Sequence, residues 1–177
     1  MSQSLCYVCE KSVIRPYGYS QSKVLVIGEF PGPLEIEHGR PFVAVSRKQS
    51  AGTVLRQEMA HAGADLYQFR MTNLWYHTPT DKKDKNFEAC FEASKNACLE
   101  EAKGKEAILL VGSDCVEFFT GYKVSDVSGL QVESNMLSAP IIYAMVQPAI
   151  VYHGRGIGEV RFAIENFINH IRQEEIT

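Results

Sequence analysis

The chain has 177 residues, 45% of them apolar and 22% charged, and carries a net charge of −3. Those proportions are ordinary for a globular protein, and the length suits one domain over residues 1–177 with a core of its own. The mild acidity argues against a strongly basic coat for nucleic acid, while leaving room for an enzyme with a local basic rim. No apolar run reaches the ~18 residues that span a bilayer, and the start, MSQSLCYVCE, lacks the blocks of a signal peptide. The expectation is a cytoplasmic monomer (host cytoplasm, if viral) with no membrane partner.

In chain order, Cys6 and Cys9 form a C-x-x-C pair. In a cytosolic protein that spacing points to metal or redox chemistry more than to a disulfide. Arg15 to Gly18 reads as a turn. Val24–Ile27 is an apolar, largely β-branched run, the pattern of a buried parallel strand. Gly28 ends it, and Glu29 stands at its carboxyl end, where open α/β sheets place ligands. Pro31, Gly32 and Pro33 turn the chain. Glu35, Glu37 and His38 read as a polar loop, which Gly39 to Phe42 closes with an exposed aromatic.

Ser46 to Gly63 reads as a helix, with Val54, Leu55, Met59 and Ala62 on its apolar face. Arg47 and Lys48 lie near enough to the preceding loop to meet phosphate. Phe69–Trp75 is a second strand, with Asn73 near its end able to offer both a donor and an acceptor. Phe87–Lys103 is a helix carrying Cys90 and Cys98. Ala107–Val111 is a third strand, and Ser113 or Asp114 caps a short helix through Phe118 and Phe119. Residues 122–138 read as a loop or small hairpin. Ile141–Val146 is the fourth strand, followed by Gln147, a loop over Ile150–Gly158, and a closing helix from Glu159 to Gln173. Strands alternating with helices predict an α/β fold, a three-layer αβα sandwich around a four-stranded parallel sheet. Glu29, Asn73, Ser113 and Gln147 then follow its four strands.

Several of these residues fall into one pattern. GEFPGPLEIEHGRPFVA (28–44) resembles the first motif of the uracil-DNA glycosylase superfamily, roughly GEAPG-x-x-E-D-x-x-G-x-PFVG. TNLWYHTPT (72–80) is similar to the family's TN-V-V-K-C-R-P-P segment. LLVGSDC (109–115) is similar to its third strand and turn, and VQPAIVYHGR (146–155) stands where the family has its H-P-A/S loop. The closest resemblance is to the family 4 type, which carries an iron–sulfur cluster.

The resemblance implies a DNA glycosylase that cleaves the N-glycosidic bond of uracil, or a related modified pyrimidine, flipped out of DNA. By resemblance, Glu29 activates or positions the water, supported by Glu35. Phe42 stacks on the base, Asn73 reads its edge, and the backbone after Gly28 faces the pocket. Phe30 stands where the family has alanine and reshapes the pocket. Gln147 replaces the histidine that donates to the base oxygen; an amide still donates but cannot shuttle a proton. Arg47, Lys48 and Arg155 would hold phosphates. Ile150 or Tyr152 would fill the hole left in the duplex, and His153 could swing in for the missing histidine.

The resemblance also implies a 4Fe–4S cluster on Cys6, Cys9 and Cys90, with His77 in the place of the family's third cysteine. Imidazole replaces cysteine in some clusters. Zinc on the same residues, or free thiols, are the alternatives, and Cys98 is a poor substitute two turns further along. Gln147 and His77 together keep open a second function, a weak or inactive glycosylase-fold accessory protein that binds DNA.

Overall fold

The computed structural model describes residues 4–45, 48–154 and 156–176. Its sheet has five strands: β1 (Tyr17–Gly18), β2 (Val24–Gly28), β3 (Arg70–Asn73), β4 (Ala107–Val111) and β5 (Ile141–Met145). Their spatial order is β1-β3-β2-β4-β5. The last four strands run parallel, as the sequence pattern predicts. The fifth is an addition: β1 pairs antiparallel with β3, in the stretch read as a turn. Two residues are too short a run to show any alternation.

The pleat explains the two cores. Val24, Val26, Met71, Leu109 and Met145 point to one face. There they meet Leu55 and Met59 of α2 (Ala51–His61) and Ile164 and Phe167 of the closing helix (Ile157–Gln173). Leu25, Ile27, Ile108, Leu110 and Ile142 point to the other face. There they meet Cys98 of α3 (Phe87–Ala102) and Val116 and Phe119 of α4 (Ser113–Thr120). Because β2 and β4 are buried at every position, both read in sequence as unbroken apolar runs.

Several elements differ from the sequence expectation. The polar loop is partly α1 (Pro33–His38), opened by Pro33 and by Glu35, whose carboxylate takes the Gly32 N–H. The helix expected from Ser46 begins at Ala51, because Ser50 is extended and its hydroxyl accepts from Thr53 N at 3.0 Å. Ser46 itself lies outside the described residues. Residues 122–138 contain α5 (Val124–Val127) and two single bridges, Ser128 to Ala144 and Gln131 to Tyr143, which cover the outer edge of β5. The loop after Gln147 is a 3-10 turn over Pro148–His153, and α6 (Ile157–Gln173) starts two residues earlier than Glu159. No side chain caps α4; its N-cap is Gly112.

A buried carboxylate ties α2 to α6. Arg161 Nε donates to Glu58 Oε2 at 2.8 Å, and His61 Nδ1 lies 3.2 Å from Oε1. Arg161's hydrogen bonds hold the Glu58 carboxyl below its usual range. The native state therefore favours the ionised form. That stabilisation is complete above the unfolded-state carboxylate range and is lost as pH falls through the depressed native value. Glu58→Gln should lower the thermal midpoint at neutral pH by several degrees, with the gap to the parent closing in acid. A constant gap across pH in paired melting curves would contradict this.

Candidate active site and metal centre

The chain reverses its winding between β2 and β4, which opens a crevice at the carboxyl ends of those strands. Glu29 follows β2 and reaches across it. Its Oε1 accepts from Asp114 N, at the start of α4, at 2.8 Å, and lies 3.5 Å from Ser113 Oγ. Its Oε2 lies 3.5 Å from Gln147 Nε2, beyond β5. Gly112, at φ +99°, makes room for this: any side chain there would collide with the Glu29 carboxylate. Burial pushes the Glu29 carboxyl above its ordinary range. The nearby Asp114 charge adds to that, while the hydrogen bonds oppose it.

Glu35 has a different task from the one expected. Oε2 accepts from Gly32 N and Oε1 from Phe42 N, both at 2.6 Å. Burial raises its carboxyl as well, against the pull of these amides and of Asn73. The negative neighbour acting on Glu29 is Asp114, not Glu35, so Glu35 bears on the site by clamping the loop from Gly32 to Phe42.

Phe42 is not the exposed aromatic predicted. It is 4% exposed, adopts a left-handed conformation at φ +49°, and turns its ring under the loop against Gly28. The exposed ring is Phe30, 43% accessible at the cleft wall. The parallel register sets Gly28 beside Asn73. A Cβ on Gly28 would collide with Asn73 Oδ1 and come within 2.8 Å of Phe42 Cζ. Gly28→Ala should therefore displace both side chains and cost base-excision activity while the fold persists. Retention of full activity in a folded Gly28→Ala protein would show that neither position matters.

The cleft encloses about 650 Å³ between Glu29, Phe30, Leu34, Glu35, Lys48 and Gln147. That size suits a small organic ligand. Two buried polar atoms beside it lack a well-formed hydrogen bond among the described residues: Gln147 Oε1, an acceptor, and Asn73 Nδ2, a donor near enough to the Glu35 carboxylate to lower its pKa. Because buried polar atoms are nearly always paired, these two mark where a polar ligand or water belongs.

The expected DNA contacts divide. Lys48 lines the cleft and lies 3.8 Å from Glu37. The Tyr152 hydroxyl is 3.2 Å from both the amide nitrogen and the carbonyl oxygen of Ser50, so it ties the 3-10 turn to the start of α2. Ile150 is half-buried, and His153 is exposed outside the cleft lining. Arg47 and Arg155 lie outside the described residues. Sequence reasoning did not place the start of α2 in the site. Yet Ser50, Ala51 and Gly52 form one wall, and Gly52 packs on the Phe42–Val43 backbone too closely for any side chain. Ser50-Ala-Gly-Thr53, a capping pattern before an apolar run, was the available signal.

At the far end of β3, Cys6, Cys9, His77 and Cys90 converge, with all four donor atoms within 4.8 Å of one another. His77 is fully buried, and its Nδ1 lies 2.8 Å from Thr78 O. A proton on Nδ1 satisfies that carbonyl and leaves the Nε2 lone pair facing Cys9 Sγ, 3.5 Å away. Three thiols and an imidazole are soft donors that can hold a metal ion. Cys98 stays in the core, buried, and is not one of the four.

The family model described as the uracil DNA glycosylase superfamily matches residues 15–166. The chain belongs to the uracil DNA glycosylase superfamily. No curated protein matches it. The superfamily match contains Glu29, Asn73, His77, Cys90 and Gln147 but not Cys6 or Cys9. Metal binding therefore rests on the convergence of the four side chains themselves. Superfamily membership supports, in general terms, a glycosylase-type function on DNA. Among the described residues, no helix is long and apolar enough to cross a membrane.

Proposed function

We propose that this protein hydrolyses the N-glycosidic bond of uracil, or of a related modified pyrimidine, in a nucleotide flipped out of DNA. The observation that carries this reading is the crevice itself: a half-buried Glu29 lining a base-sized cleft, with the buried amide of Asn73 held beside Gly28 at its edge. Extrusion of the nucleotide brings the glycosidic bond to Glu29. The bond breaks toward an oxocarbenium-like sugar and an anionic base. The Glu29 carboxylate holds a water for the sugar carbon and takes up its proton as the bond to carbon forms. Asn73 Nδ2 donates to a carbonyl of the base. Phe30 bounds the base at the cleft wall, and Phe42, buried beneath the loop, backs Gly28. Lys48 meets a backbone phosphate once it leaves Glu37. Residues 1–177 act as one domain, and a metal on the cysteine–histidine quartet anchors the N-terminal segment.

One observation favours a second reading, a weak or inactive glycosylase fold that binds DNA. Gln147 Nε2 points at Glu29, so the group standing in for the family's histidine is turned from the base. Excision assays on labelled oligonucleotides carrying uracil, 5-hydroxymethyluracil, hypoxanthine or thymine, in single and double strands, separate the two. Release of uracil or a modified pyrimidine supports the enzyme. Binding without release from any substrate supports the accessory protein.

A further inference from the structure

The resemblance to cluster-bearing glycosylases implies a 4Fe–4S group on Cys6, Cys9, His77 and Cys90, and the donor geometry does not fit one. In a cubane each ligand binds a different iron at a corner of the cube, so the four donor atoms must spread well beyond the edge of a single coordination tetrahedron. Around one zinc, ligands at ~2.0–2.3 Å stand ~3.5–3.8 Å apart. Here every donor pair lies within 4.8 Å, and Cys9 Sγ to His77 Nε2 is already 3.5 Å. A small contraction closes the quartet on one ion, whereas a cubane needs it pushed apart.

The surrounding chain opposes that expansion. Cys90 and His77 are fully buried. Trp75 packs at 5.8 Å from the His77 ring and at 5.3 and 5.2 Å from Phe87 and Phe91 on α3, all centroid to centroid. Cys6 and Cys9 sit on a closed turn: Cys6 N donates to Lys11 O at 2.8 Å, Glu10 N donates to Cys6 O at 2.9 Å, and Leu5 pairs with Ser12. Glu10, directly after Cys9, takes φ +59° to complete it. A C-x-x-C on so tight a turn presents both sulfurs to the same point, as in structural zinc sites.

We infer that the quartet holds a single tetrahedral Zn²⁺ in place of an iron–sulfur cluster. The ion joins three stretches distant in sequence: the N-terminal turn, the segment after β3 and the first turn of α3. It has no electron to give, so its role is to hold structure.

The full chain, expressed with iron and zinc both supplied and purified anaerobically, should contain zinc at one per chain, without acid-labile sulfide or the broad visible absorption of a cluster. Iron with sulfide would overturn the inference. Apoprotein titrated with Co²⁺ alone should develop the intense visible bands of tetrahedral cobalt with thiolate charge transfer, and Zn²⁺ should displace them. Absence of those bands would also overturn it. Cys9 is only half-buried, so Cys9→Ser should fold and lose about a third of the charge-transfer intensity as one of three thiolates goes. Unchanged bands would exclude the quartet as the site. None of these readouts depends on base excision, so the metal assignment and the glycosylase reading stand or fall separately.

Discussion

Glu29→Gln should reduce base excision by ~10²–10⁴-fold, the usual contribution of a positioned general base, while leaving the fold intact. Glutamine keeps the shape and can still accept from Asp114 N, which bonds Glu29 at 2.8 Å. It loses the ability to hold a water by negative charge and take its proton. The parent protein's excision activity should fall on the acid side, at a higher pH than an ordinary carboxylate would impose, because burial first, and Asp114 second, raise the Glu29 carboxyl. The same shift makes a stability prediction of opposite sign. A carboxyl whose native pKa is raised favours the neutral form, so its favourable contribution is present below the unfolded-state range and lost as pH climbs through the native value. At neutral pH the ionised Glu29 is a burden on the fold, and Glu29→Gln should melt higher than the parent, with the difference vanishing in acid. Excision profiles and melting curves over one pH range test both halves. A variant that is inactive and also less stable at neutral pH would mean that the carboxylate is structural.

The sheet was legible because its chemistry is monotonous. β2 and β4 are buried on both faces, so VLVIG and AILLV need no alternation to be read. The position of Glu29 followed at once, since the residue after a parallel strand stands at the ligand-binding edge. The quartet of Cys6, Cys9, His77 and Cys90 was legible through the resemblance, and the fold brings all four together. What escaped was anything decided by side-chain direction. Glu35 looks like a second site carboxylate in sequence, but both its oxygens are taken by loop amides. Phe42 looks exposed in a polar loop, but a left-handed backbone folds it inward. α1 has no buried residue, so no apolar stripe announces it. Tyr152 reads as a free aromatic tip in a glycine-rich loop, and its hydroxyl is spent on Ser50. Glu35, Phe42 and α1 are set by hydrogen bonds within residues 32–42, and Tyr152 by bonds to a residue 102 positions away.

Gln147→His should raise uracil excision by roughly a hundredfold, the inverse of the ~10²–10³-fold loss that follows removal of one aimed donor from a charge-stabilising site. The reason lies in how Gln147 is used. Its one donor group, Nε2, is directed to Glu29 at 3.5 Å, and its buried Oε1 has no partner among the described residues. Presented to an anionic base oxygen, that acceptor is of the wrong polarity. An imidazole at the same place divides the tasks: one ring N–H donates toward the base, and the ring can bear positive charge as the base departs. Without Gln147, Glu29 keeps Asp114 N and Ser113 Oγ, so its position should survive the change. Because the added donor acts in the transition state, the gain should appear in kcat with little change in KM. A rise confined to KM would place residue 147 in ground-state binding. Equal rates for Gln147→His and the parent, in a protein that still needs Glu29, would mean that the base oxygen is stabilised from another side of the cleft.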